Sequence, residues 1–488
     1  MDRLEGRAPL ETHSRAWRVW SPMACRLDRC RRVRHRHAYV MATPRVIVLG
    51  GGLSGMAAAY ALAQAGWDRV TIVERGPELG GLAGTFETDG HFYPLAYHHI
   101  LHRDRGLLFF LDRIGALPDV RWRKISMLFQ LKGRMFDLAH PVDFLRFPMS
   151  LADKLRFVRL MLRCFGKSDW ADWDERSAAE LVDTWGGPGV RRAIFDPLTR
   201  LKFNRPCEDV SGAWLGARLH FREGSAPLGY IPGGNWTKVL CDGVTRLLDD
   251  ASVQVRLGTS ARHLVIQDDR VTRVDLDDGE SLEADLVIST VPTEVYQRLL
   301  TDARPDLDHV RYTAVVSAMF ATKQRVTPTF YWMNLASLDC TASGMFMLNA
   351  LNPTIGAPGD TCLNIMTHVP NRHDAFFHQS DDEILAGYRA DFHRVFGFEL
   401  KPVWTQVNRL GMYAPVFHRG YENPPLRDAV LANVYCAGNY RTFPSIASTG
   451  TALVSGVDAG AAIVADHGGT SDLPEAIDGY RLASMPRA

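Results

Sequence analysis

The residues best placed to do chemistry begin with a glycine cluster, Gly50-Gly51-Gly52-Leu53-Ser54-Gly55, followed by an acid, Glu74, 24 positions after Gly50. Gly50, Gly52 and Gly55 have the G-x-G-x-x-G spacing. The first allows a tight turn, the second lets backbone N–H groups approach a pyrophosphate, and the third lets a helix pack closely on a strand. Leu53 and Ser54 open the helix whose N-terminus would face the phosphates. Glu74 is spaced to accept hydrogen bonds from a ribose, so the whole pattern predicts dinucleotide binding.

The elements that must hold these residues follow from the hydrophobic pattern. Arg45-Val46-Ile47-Val48-Leu49 is an apolar run suited to a strand buried on both faces. Residues 56–65, rich in Ala and Leu and ending at Gly66, predict a helix, and residues 69–73 a second strand, which closes a βαβ unit. Residues 253–256, 264–266 and 271–274 predict short strands with a turn at Asp268-Asp269, and residues 284–290 a further apolar strand ending at Val291-Pro292. Near the end, residues 433–440 run as a strand into a glycine turn, and Ser448 begins a small-residue helix.

Glu74-Arg75, the doublet Gly80-Gly81 and then Leu82-Ala83 form an E-R-x-x-x-x-G-G segment. With it, the sequence resembles the superfamily of flavin-dependent amine oxidases, protoporphyrinogen oxidases and phytoene desaturases, over roughly residues 44–466. The resemblance implies FAD held by three separated stretches, and because no Cys or His lies in a flavinylation motif its attachment is expected to be non-covalent. In it Ala261 offers its backbone to the adenine, Gly438-Asn439 stands where the family has Gly-Asp, and Thr449, Gly450 and Thr451 open a helix aimed at the flavin pyrimidine carbonyl. The implied fold class is α/β: a Rossmann-type FAD-binding domain assembled from discontinuous segments (41–104, 226–295 and 413–470), with an inserted α+β substrate domain (105–225 and 296–412). Residues 471–488 read as a C-terminal tail. Two departures narrow the resemblance: Leu82 replaces the usual Arg, which points away from typical amine oxidases and phytoene desaturases, and residues 312–319 contain no Lys, which points away from an amine substrate.

Tyr97, His98 and His99 follow the glycine doublet closely enough to reach over a flavin ring. Hydride transfer asks mainly for positioning, while an imidazole can accept a proton lost with the hydride. The same histidines would also suit structural places. Lys202, in Asp196-Pro197-Leu198-Thr199-Arg200-Leu201-Lys202-Phe203-Asn204, and Arg218 resemble the P-L-x-x-x-K-F-G segment and following arginine of the protoporphyrinogen-oxidase-like branch. They would bind an anionic substrate group or sit as solvated helix charges. Tyr413, Phe417 and Tyr440 suit a pocket rim or plain core. These readings predict an FAD-dependent oxidoreductase with His98, His99 and Lys202 as catalytic candidates, no metal, and hydride passing from a carbon-skeleton substrate to flavin N5. The alternatives are an isomerase of the UDP-galactopyranose mutase type, whose H-I-F-H element is similar to His99-Ile100-Leu101-His102, and a non-catalytic flavoprotein partner.

Composition narrows the classes. A chain of 488 residues with 46% hydrophobic and 23% charged residues is neither disordered nor a small stapled module, and 56 basic against 55 acidic side chains argue against a nucleic-acid partner. The partner expected is a small-molecule substrate, and the oligomeric state stays open. Eight cysteines without a C-x-x-C pair fit a reducing cytoplasm. Residues 1–40 carry ten Arg against four acids before Met41, and read as a mis-started or basic-tail extension. Residues 150–163 predict a helix with mixed basic and apolar faces. It would suit peripheral contact with anionic lipid, although packing on its own domain is the preferred expectation.

Overall fold

The computed structural model describes residues 43–131, 134–166, 170–222, 227–335 and 338–480. The extension over residues 1–40 lies outside the described residues, as do residues 481–488.

The apolar runs around the glycine cluster build a five-stranded, wholly parallel sheet. Its order is Val434–Cys436, Leu286–Ser289, Val46–Leu49, Val70–Glu74, Gln254–Leu257, so one layer gathers strands from three distant parts of the chain. The central strand is buried at all four positions, as a strand covered on both faces must be. The helix Leu53–Gln64 covers one face together with Thr449–Asp466, and these two helices approach closely through small residues. A Cβ on Gly456 would lie 2.0 Å from the Ser54 carbonyl oxygen, so glycine is required there. Ser54 also donates its hydroxyl to the Ala452 carbonyl at 2.8 Å, fixing the two helix N-termini side by side.

A three-stranded antiparallel sheet, Ala261–Gln267, Arg270–Leu276 and Ser281–Glu283, adjoins this layer, and its first turn places Asp268 and Asp269 at φ of +51° and +57°. A separate seven-stranded sheet carries the second half of the cavity described below. Its order is Trp404–Pro415, Tyr312–Thr322, Thr361–Val369, Gly344–Met347, Trp332–Asn334, Met127–Leu131, Arg134–Asp137. Tyr312–Thr322 is buried along its whole length. The helices Ala178–Trp185, Asp196–Phe203 and Gly212–Arg222 pack around a third core with Phe195, Trp214 and Phe417.

Three boundaries drawn from the sequence do not follow the packing. Arg105–Arg113, assigned to the substrate part, buries Leu107, Phe110 and Leu111 in the same core as Met56 and Leu453, because its apolar run finds its cover under Leu53–Gln64 and Thr449–Asp466. Trp404–Pro415 continues through the division at 412 as one strand. Within the proposed tail, Leu473–Gly479 is a helix that buries Leu473 and Ile477 in that first core. The helix Leu151–Phe165 presents a fourth difference. It does pack on its own domain, but through Leu160 and Cys164, while its larger apolar stripe faces outward.

Candidate active site

The glycine turn has the geometry its spacing requires. Gly50 takes φ +96°, and a Cβ on Gly55 would fall 2.0 Å from the Gly50 carbonyl oxygen, so the third glycine is a packing residue. A Cβ on Gly52 would meet nothing nearer than Gly81 Cα at 4.0 Å. Gly52 begins the helix without a side-chain cap, which leaves the first-turn N–H groups and the helix dipole for an anion. Gly51 and Gly76 donate their N–H groups to the two oxygens of Glu74 at 2.7 and 2.6 Å. Those oxygens are thereby aimed, and each keeps a further lone pair. Gly80, at φ +127°, donates to the Gly51 carbonyl at 2.8 Å and brings the doublet alongside the turn. Open space, free N–H groups and an oriented carboxylate fit a dinucleotide.

A cavity of about 980 Å³ joins this cradle to a chamber on the seven-stranded sheet. It brings together Gly50, Gly52, Leu53, Ser54, Glu74, Arg75, Gly80, Gly81, Leu82, Ala83, Tyr97, His98, His99, Lys202, Ala261, Gly438, Asn439 and Thr449. Tyr413, Phe417, Tyr440 and Arg218 line it too. It does not include Gly55, nor Gly450 and Thr451, which border a second cavity of about 660 Å³. Asp104 explains the last two. Its buried carboxylate accepts from the Ser448 hydroxyl at 3.0 Å, the Gly450 N–H at 3.3 Å and the Leu107 N–H at 3.4 Å, so it occupies the first turn of two helices. Burial pushes this carboxyl above the usual range, against the pull of those three donors. Asp104 and Ser448 line both cavities.

Side chains furnish the chamber. Lys202, near the end of its helix, donates to the Tyr97 hydroxyl and lies 5.1 Å from the Tyr97 ring and 4.8 Å from the Trp332 ring. Asn204 ends that helix at φ +48°, the left-handed position where the related motif has glycine. The Arg218 guanidinium lies 5.9 Å from the same Trp332 ring and 5.8 Å from Trp214. Two cations thus flank one indole. Burial disfavours the charged form of Arg218, and among the described residues no carboxylate pairs with it. Tyr97 is itself fixed by stacking on Phe346, with centroids 3.7 Å apart.

Three histidines border the cavity, each held differently. His98 Nδ1 lies 2.8 Å from the Ala96 carbonyl oxygen, which can only accept; Nδ1 therefore carries the hydrogen and Nε2 the basic lone pair. Burial, with Lys202 nearby, holds this imidazole below its ordinary value and hence neutral. His99 Nδ1 contacts the Tyr331 hydroxyl at 3.2 Å. His368, on Thr361–Val369, is only 2% exposed, yet both ring nitrogens lack a hydrogen-bond partner. Burial and Lys202 push it down to about 3.

Sequence reasoning missed His368, Asp104 and Trp332. A signal for His368 existed: Asn364 and His368 share one strand face with Cys362 and Met366, an unusual place for two polar side chains. Asp104 is legible as the cap of Arg105–Arg113, but its bond to Gly450 spans 346 residues and left no local mark.

Residues 53–464 match the family of flavin containing amine oxidoreductases. Coproporphyrinogen III oxidase of Mycobacterium tuberculosis is 26% identical over 442 residues, covering 82% of this chain and 93% of that protein. The 15-cis-phytoene desaturase of Capsicum annuum is 20% identical over 470 residues, 86% of this chain and 78% of that protein. Among solved structures, reduced UDP-galactopyranose mutase superposes with a TM-score of 0.67 at 15% identity, over 87% of this chain and 96% of that one. The kinship with oxidases and desaturases agrees with an enzyme rather than a non-catalytic partner. The chain belongs to the flavin containing amine oxidoreductase family and is an oxidoreductase of that family.

Proposed function

We propose that the protein is an FAD-dependent oxidoreductase of the protoporphyrinogen-oxidase-like branch, taking hydride from a C–H bond of a carbon-skeleton substrate that carries an anionic group. The observation that carries this reading is the single cavity in which a dinucleotide cradle meets Lys202 and Arg218 around one indole ring. FAD would lie non-covalently in the Rossmann-type part, its pyrophosphate at the N-terminus of Leu53–Gln64 and its ribose at Glu74. When bound, it supplies the hydride-accepting centre. The chain supplies the rest. Arg218 and Lys202 hold the substrate anion, Trp332 and Tyr97 keep those cations in place, and His98 Nε2 accepts a proton where one leaves with the hydride. The residues that resemble an inserted substrate domain supply the chamber walls, and the free thiols of the six described cysteines suit a reducing cytoplasm.

A second reading is an isomerase of the mutase type. It is favoured by the mutase-like fold and by His99 and Leu101, two members of the His99–His102 element, lining the cavity. A nucleoside diphosphate would satisfy the same cations. Anaerobic mixing of the oxidised and the photoreduced protein with coproporphyrinogen III and with UDP-galactopyranose separates the two. An oxidoreductase bleaches its oxidised flavin with substrate. A mutase turns over only when reduced and consumes no electrons. Failure of the purified protein to retain or take up FAD would overturn both.

A further inference from the structure

The described residues expose ten large apolar side chains, and seven of them fall between Val142 and Phe165. Five lie on one helix: Leu151 (69% exposed), Leu155 (65%), Val158 (45%), Leu162 (67%) and Phe165 (39%). At 100° per residue they fall within about 40° of a common line, a stripe roughly 21 Å long at 1.5 Å per residue. The opposite side of the helix buries Leu160 and Cys164 in the core shared with Trp214 and Phe203, two residues that border the cavity. This helix is therefore apolar on two sides, and only the smaller one is used by the fold. Isolated exposed leucines need no explanation, but a continuous stripe does.

Charge says what covers it. From Val142 to Phe165 there are five basic side chains against two acidic ones. Arg159 donates to the Thr184 and Trp185 carbonyls at 3.0 and 3.1 Å, and the Arg163 guanidinium lies 4.9 Å from the Trp185 ring, so both are fixed beside the stripe. On the other side Lys154 donates to the Leu145 carbonyl at 2.6 Å, tying the short helix Pro141–Arg146, with exposed Val142 and Leu145, to the same surface. A second copy of this chain, docked stripe to stripe, would set these cations against themselves. A bilayer surface of anionic phospholipid offers apolar chains beneath a negative headgroup layer and satisfies both features. Among the described residues, no helix is long and apolar enough to cross a membrane, so the contact is peripheral.

We infer that the stripe Leu151–Leu155–Val158–Leu162–Phe165, with its flanking arginines, seats this protein on an anionic membrane surface. The test is co-sedimentation of the full chain with phosphatidylcholine vesicles, with and without about one third phosphatidylglycerol. The wild type is expected to sediment with the anionic vesicles and to be released at about 1 M salt, where the screening length is ~3 Å. Leu155→Asp with Leu162→Asp should lower vesicle partitioning at least about tenfold. Arg159→Gln with Arg163→Gln should lower it by about the same factor through lost charge, giving a second arm that leaves the apolar stripe intact. The inference is overturned if the wild type stays in the supernatant, or if neither pair of substitutions weakens sedimentation. It is equally overturned if the protein is a dimer in solution that the leucine pair dissociates.

Discussion

At one end of the cavity the groups that face a ligand belong to the main chain: the N–H groups after Gly52, the turn at Gly50, and the doublet at Gly80, with Glu74 already aimed by two backbone donors. At the other end they are side chains: half-buried Lys202, Arg218 and His98, and buried His368, whose ring nitrogens lack a hydrogen-bond partner. The first end costs nothing electrostatically in the empty protein, because its partial charges come with the helix. The second holds charge lining a cavity and, at His368, unmet hydrogen-bonding capacity that a ligand would relieve. Substitutions at the cradle should therefore damage fold and cofactor together, whereas substitutions in the chamber should remove function and leave stability unchanged or higher.

The largest effect is expected at Gly55→Val. The added side chain must displace the Gly50 carbonyl, so the turn and its helix separate and the protein purifies without FAD, with a clearly lowered Tm. Absorbance at the flavin band and a thermal melt check both outcomes, and a yellow, normally melting variant would break the comparison at its first end. Next comes His98→Gln, which removes the proton-accepting Nε2 and should cut kcat by about 10²–10⁴-fold if a proton leaves with the hydride. Because burial holds His98 below its ordinary value, the wild-type kcat/KM should fall on the acid side only below about pH 6.5, and the variant should lack that acid limb.

Arg218→Met sharpens the contrast. It replaces an unpaired, enclosed cation by an apolar side chain, so KM for an anionic substrate should rise by about 10–100-fold while Tm holds or increases. The smallest effect is expected for His368→Leu, which removes two unsatisfied ring nitrogens and should stabilise the protein by about 1–2 kcal/mol. The folded value of about 3 lies below the unfolded value of about 6.5, so the unfolded chain takes up a proton that the native state refuses. Stability from this group is complete above pH 6.5 and lost as pH falls towards 3. Denaturant titrations at several pH values should show a shallower acid slope in the variant.

The two ends also differ in how much of them can be read from residues alone. The cradle is written within 40 residues of chain: an apolar strand, three glycines at fixed spacing, an acid at the end of the second strand. Its closing strands, Leu286–Ser289 and Val434–Cys436, are apolar runs whose place in the sheet needed the resemblance as well as the pattern. The chamber is tertiary. Lys202 and Trp332 meet across 130 positions and His368 arrives from yet another strand, so their neighbourhood has no local spacing to betray it. Leu151–Phe165 shows a different limit. Its periodicity gives two apolar lines, and ordinary burial logic turns the longer one inward. The fold does the reverse, because Leu160 and Cys164 are the side chains that fit the core already filled by Trp170, Trp173 and Trp214.

A crystal structure of the holoprotein tests the central claim most directly. The account predicts one FAD per chain along the cavity, its pyrophosphate at Gly52 and Leu53, its adenosine end beside Glu74 and Ala261, and its flavin ring at the entrance to the chamber of His98, Lys202 and Arg218. A cofactor bound elsewhere, or a flavin separated from that chamber by protein, would contradict it.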